Sequence, residues 1–241
     1  MGTDIKALLV TSDPGMVNVF SPLLQEMRIM VQYCPDESTA AHDVLMAKFE
    51  AVFLDCDHMP GNIPVIKSLR ESRSNKNAVV VAVASNSAAR QQAFDQGANF
   101  AFERPFVVPD IKKTLHAAYG LMLRERRRYF RHAIEIPVRA RRDSGEELSC
   151  KTINLSQNGM ALSVPSPLSQ GEVLGLVFSV PDAALSVSAR GTVVWADTLS
   201  KVGISFQCTN PEVESRLTAW LHDRFYTQFD IAQTQPAAPK S

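Results

Sequence analysis

Five times in its first 122 residues this chain follows a short apolar run with a helix-period pattern, and beyond about Arg124 that grammar stops. The run over 5–10 is halted by Thr11-Ser12-Asp13-Pro14, after which apolar side chains recur at Val17, Phe20, Leu23, Leu24 and Met27. The unit repeats at 30–33 with 40–48, 51–54 with 63–70, 78–84 with 88–96, and 100–102 with 109–126. Helices between consecutive strands supply the crossovers that parallel pairing needs, so these segments predict a five-stranded parallel sheet covered on both faces. The uninterrupted run Val79-Val80-Val81-Ala82-Val83 suits a strand buried on both sides.

The second half reads differently. Alternating runs at 134–139, 149–154, 160–164, 173–180, 185–195 and 202–206 are separated by Gly, Pro, Ser and Asp clusters, with no helical pattern between them. Six short strands without crossovers predict a small antiparallel barrel. Asn210-Pro211 opens a last amphipathic helix, expected over about 213–225 and across one barrel mouth. The expected organisation is therefore an α/β domain over 1–122, a β domain over 123–226 and a flexible tail over 227–241, rich in Pro, Ala and Gln.

The 241 residues hold 25 basic and 25 acidic side chains, so no global field draws the chain to nucleic acid or to an anionic membrane. Residues 1–122 carry 11 basic and 13 acidic groups. No apolar run approaches the roughly 18–20 residues of a spanning helix, and the start offers no export signal, which predicts a cytoplasmic protein. Cys34, Cys56, Cys150 and Cys208 are scattered, so isolated reduced thiols are expected and no metal.

Leu54-Asp55 ending the third strand and Arg104-Pro105-Phe106 after the fifth give residues 5–122 a resemblance to the receiver domain of bacterial response regulators. That resemblance implies a flavodoxin-like sheet and assigns Asp55 to the phosphoacceptor position. It also marks departures. Thr11 and Ser12 stand where the family carries a metal-binding acid pair, Asp13 reads as a helix cap, Met59-Pro60-Gly61 lies one residue late, and Arg104 replaces a Lys. The switch hydroxyl is either Ser85 or, with Ala82 in its place, missing. Asp55 is thus expected to be vestigial, in a fold kept for docking or homodimerisation. Asp55, Asp57 and His58 read as solvated charges at a strand end.

The run Arg124-Glu125-Arg126-Arg127-Arg128-Tyr129-Phe130-Arg131-His132 leads, one strand and a turn later, to Asn154-Leu155-Ser156-Gln157-Asn158-Gly159. A charge run alone is ordinarily a solvated helix end, and Asn154, Ser156 and Gly159 alone read as an Asx-type turn. In this order, Arg-x-x-x-Arg followed by Asn-x-Ser-x-x-Gly at the start of a β-rich segment resembles the PilZ domain over about 124–225. Arg190-Gly191-Thr192-Val193-Val194-Trp195 and Val202-Gly203-Ile204-Ser205-Phe206 are similar to its later strands.

The resemblance implies a receptor for the second messenger cyclic di-GMP, with Arg127, Arg131, Asn154, Ser156 and Gly159 as ligand-binding residues and Arg126 or Arg128 as supplements. The chemistry suits those residue types. Guanine O6 and N7 form an acceptor pair matched by a guanidinium fork, and two phosphodiesters add charge. Asn154 can donate and accept, Ser156 can hydrogen-bond a phosphate or base, and Gly159 permits a turn conformation and close ligand approach. The arginines are expected on a flexible strap that continues the last receiver helix without a Gly or Pro spacer. No nucleophile-elbow, phosphate-loop or zincin motif occurs, so the reading is a non-catalytic effector that changes conformation and signals to an unidentified protein partner, with no nucleic acid and no membrane insertion. The alternatives are a phosphorylation-controlled response regulator with a protein-binding barrel, and a nucleic-acid-binding barrel, against which counts the lack of interleaved exposed aromatics apart from Tyr129 and Phe130.

Overall fold

The computed structural model describes residues 5–57 and 63–234. The chain divides into two compact units with the boundary between Arg127 and Arg128.

The first unit holds β1 (Ile5–Val10), α1 (Pro14–Glu26), β2 (Ile29–Cys34), α2 (Glu37–Met46), β3 (Ala51–Asp55), α3 (Ile63–Glu71), β4 (Val79–Ala84), α4 (Ser87–Asp95), β5 (Phe100–Glu103) and α5 (Val108–Arg128). All strand pairs are parallel, in the order β2-β1-β3-β4-β5 expected of a flavodoxin-like sheet. Strands β3 and β4 are buried along their whole length, which explains why they lack a polar alternation. One apolar layer gathers Phe20, Phe53, Phe102 and Leu115, and the opposite layer gathers Phe49, Leu54, Val65 and Leu69. Helix starts carry the side-chain acceptors that their first amides need: Asp13 accepts from the Gly15 N–H, Asp36 from Thr39 and Asn86 from Ala89.

The second unit holds β6 (Pro137–Arg142), β7 (Glu147–Ser156), β8 (Gly159–Ser163), β9 (Val173–Val180), β10 (Leu185–Ala196), β11 (Lys201–Cys208) and α6 (Pro211–Thr234). The strands close an antiparallel barrel in the order β10-β11-β8-β7-β6-β9. Inward residues such as Val138, Leu155, Leu176, Val187, Ile204 and Phe206 fill it, and Leu217, Trp220 and Leu221 of α6 pack against that core. The first barrel strand begins three residues later than expected because the Thr152 hydroxyl ties down the Ile134 carbonyl and the Ile136 N–H, taking the hydrogen bonds a ladder would use. Helix α6 continues past the expected end near Phe225 to Thr234; residues 235–241 lie outside the described part. Among the described residues no helix is long and apolar enough to cross a membrane.

Candidate functional site

At the C-terminal edge of the parallel sheet, Arg104 sits where the fold gathers its acids. One guanidinium nitrogen reaches Asp13 at 3.0 Å and Asp55 at 3.1 Å, and the other pairs with Asp57. The Thr11 hydroxyl donates to Asp55 at 2.6 Å, and Ser85 gives Asp57 both its N–H and its hydroxyl at 2.9 Å. Burial opposes the Arg104 charge, but its hydrogen bonds to Asp13 and Asp55 and the charges of Asp55 and Asp57 hold its pKa above the ordinary value. The expectation of solvated charges is corrected here: Asp55 is fully buried, and Asp55 and Asp57, two positions apart, face the same cation. His58 and Met59-Pro60-Gly61 lie outside the described residues.

In the barrel, the Asn-x-Ser-x-x-Gly segment is the end of β7, a two-residue turn and the start of β8. Leu155, Met160, Ile204 and Val193 form an inward row across β7, β8, β11 and β10. The rows on either side therefore face outward. One is Asn154, Ala161, Gly203 and Trp195; the other is Ser156, Gly159, Ser205 and Thr192. Small residues thus floor a shelf between Asn154 and Ser156 on one side and a half-exposed indole on the other. The indole of Trp195 lies in the space that a Cβ on Gly203 would fill. Among the described residues nothing donates a hydrogen bond to the buried Asn154 Oδ1. The Ser156 hydroxyl donates to the Gly159 carbonyl at 2.8 Å. Gly159 does not need a positive φ. A Cβ there would stand 3.1 Å from the Ile204 carbonyl, so its conformation is ordinary and close packing against β11 explains the glycine.

The arginines of the pattern span the end of α5. Arg127 and Arg128 occupy its last turn, and Arg126 lies 3.7 Å from the buried Glu50 within the first unit. Arg131 is exposed. The next residue, His132, exchanges both backbone hydrogen bonds with Leu155, at 2.8 and 2.9 Å, so antiparallel register sets Arg131 alongside Ser156. The strap is less loose than its charges imply. Phe130 packs edge-on against Phe225 of α6 at 5.3 Å, and His132 against Trp220 at 5.4 Å. Burial, with a smaller contribution from Arg224, lowers the His132 pKa, and the Gln228 amide nitrogen lies 3.3 Å from its Nδ1.

Arg131, Asn154, Ser156 and Gly159 thus share one outer wall, whereas Arg126 faces an acid of the first unit. Trp195 and its glycine floor escaped the sequence reading, although the spacing of Gly203 and Trp195 around a turn was available to it.

Residues 125–223 match the model of the PilZ domain. No curated protein matches the chain. Among solved structures, the receiver domain of a sensor histidine kinase from Pseudomonas aeruginosa is 19% identical with a TM-score of 0.44, covering 48% of this chain and 98% of its own. The chemotaxis response regulator CheY4 of Vibrio cholerae is 21% identical with a TM-score of 0.43 at the same coverage. A two-component response regulator from Clostridium difficile is 15% identical with a TM-score of 0.43, covering 48% of this chain and 97% of its own.

Proposed function

We propose, from the PilZ match over residues 125–223, that this chain is a non-catalytic receptor for cyclic di-GMP whose ligand lies on the outer wall of the barrel. The observation that carries the reading is that the matched segment contains both arginines and the Asn154 turn, and that Asn154 Oδ1 is buried there without a donor. A guanine N–H can satisfy that oxygen, Arg131 and Arg127 can fork onto guanine O6 and N7 or a phosphate, and Ser156 can exchange its local bond for one to the ligand. Ala161 and Gly159 keep the shelf free of large side chains, and the Trp195 indole, which covers Gly203, can bound a flat base with an aromatic face. Three residues separate Arg127, on the helix, from Arg131, beyond its end, so a ligand holding both sets how far α5 stays helical. That conformational readout, and a protein partner that senses it, belong to the proposal. Titration of the purified chain with cyclic di-GMP, GTP and single-stranded DNA tests it, since only cyclic di-GMP is expected to bind at micromolar concentration or below.

Gly203→Ala puts a methyl group where the indole lies. The expected result is a red-shifted tryptophan emission and a loss of about 1 kcal/mol in cyclic di-GMP binding, the low end for base–aromatic stacking. Unchanged affinity with a displaced indole would remove Trp195 from the site.

The second reading, control by phosphorylation, requires Asp55 to accept a phosphoryl group. Its carboxylate is buried and held by Thr11 and Arg104. Acetyl phosphate with magnesium is therefore expected to leave the intact mass unchanged. A phosphoryl adduct that disappears in Asp55→Asn would establish the second reading instead.

A further inference from the structure

The barrel wall formed by β6, β9 and β10 carries three exposed arginines that form no ion pair among the described residues. Arg141, Gly175 and Arg190 fall in one cross-strand row, and Arg139 stands two residues before Arg141 on the same outward face, beside Val177. Some other cations of this unit do have acids, Lys151 with Glu135, Arg142 with Glu146 and Glu172, and Arg224 with Asp182. Glu147 lies across from Arg141 on β7, and Gln207 across from Arg190 on β11. No two of the three arginines stand directly opposite one another, and only Arg141 has an acid across from it, so the face presents a net positive charge to solvent.

Gly175 supplies an independent observation. Glycine weakens a strand interior, and the other barrel glycines on β8, β10 and β11 have internal reasons. A Cβ would press on the Ile204 carbonyl at Gly159, on Ile204 and Leu176 at Gly191, and on the indole at Gly203. At Gly175 a Cβ would meet only the Arg141 carbonyl at 3.8 Å, an ordinary contact, and φ is not positive. Nothing inside the molecule asks for glycine there. Its remaining use is to let a backbone from outside approach the strand between two guanidiniums.

We propose that this wall docks an extended acidic peptide segment of a partner protein, laid over Gly175 with carboxylates on Arg141 and Arg190 and a third on Arg139. Adjacent strands are roughly 4.8 Å apart, so Arg141 and Arg190 stand about 10 Å from one another across Gly175. An extended peptide repeats its side chains on one face about every 6.8 Å, within reach of forks on flexible stems. Three cations fall short of the four to eight that mark an anionic lipid surface, and of the six to ten phosphate contacts typical of a nucleic-acid site. Arginine without lysine is also the composition of protein interfaces. This surface does not rest on the cyclic di-GMP reading.

The test uses a fluorescein-labelled octapeptide of four Asp-Gly repeats, its Asn-Gly counterpart, a single-stranded 20-mer DNA and vesicles containing phosphatidylserine, each titrated with the full chain at low salt. Binding of the Asp peptide about tenfold more tightly than the Asn peptide is expected. That preference should fall about tenfold in Arg141→Gln/Arg190→Gln, and equally in Gly175→Val, which keeps every charge. Arg131→Ala should leave it unchanged. Equal binding of the two peptides, parent-like binding by Gly175→Val, or tighter binding of DNA or vesicles than of the Asp peptide would each overturn the proposal.

Discussion

Arg131→Ala is expected to weaken cyclic di-GMP binding by at least tenfold while the barrel unfolds at the denaturant concentration of the parent. Arg131 is exposed and outside the barrel core, so the substitution leaves packing alone. On the proposed binding mode it removes a charge-assisted fork to a desolvated ligand, a loss of about 2–5 kcal/mol. Arg127→Ala should lose comparably, although Arg127 also has interactions of its own at the end of α5. Arg131→Lys separates charge from geometry: it keeps the cation, loses the planar fork, and should recover only part of the affinity. Parent-like calorimetric titrations of both alanine variants would remove the arginines from the binding site.

The second large effect is one of stability. Arg104→Ala should destabilise the first unit by about 3–5 kcal/mol, read from its urea midpoint, because removing one member of a buried ionic group strands the others. The stranded groups are Asp13, the fully buried Asp55, and Asp57. The pH dependence carries a matching sign. Burial raises the Asp13 carboxyl, but hydrogen bonds from Arg104 and from the Gly15 N–H, with the Arg104 charge, overrule it and leave the pKa below the ordinary 3.8. A folded carboxyl with a depressed pKa contributes stability that is complete above the unfolded value and lost as pH falls through the folded one. The parent should therefore lose this contribution below about pH 4. The gap between parent and variant should narrow over the same range, since protonation removes the repulsion that Arg104 had balanced. A gap independent of pH would mean that Arg104 acts through packing alone.

Both architectures were readable in the sequence because each is written as a period: strand and helix alternating five times, then two-residue alternation between turns. The Arg-x-x-x-Arg and Asn-x-Ser-x-x-Gly residues were readable because their relation is a spacing along the chain. The outer-wall partners of Asn154 were not. Bringing Trp195 and Gly203 into its row depends on bulges between Thr152 and Asn154 and between Val193 and Trp195, and a shift of one residue at either would turn the row inside the barrel. The acid cluster was misread for a related reason. Asp13, Asp55, Asp57 and Arg104 lie at or just after the C-terminal ends of three strands that only the folded sheet brings together. The strap looked flexible because its charges are conspicuous, whereas Phe130 and His132, which pin it to α6, declare their role only once Phe225 and Trp220 are placed.

Arg104 has a consequence for timing. A response regulator that is switched by a phosphoryl group keeps a clock, since its output lasts as long as the acyl phosphate survives hydrolysis. In this chain the balancing cation is covalently part of the protein and already engages all three carboxylates, so on the proposed non-phosphorylated reading the first unit has no such interval to measure. The lifetime of the proposed signal then reduces to one quantity, the dissociation rate of the nucleotide from the barrel. Cellular cyclic di-GMP would be followed with no memory longer than that residence time.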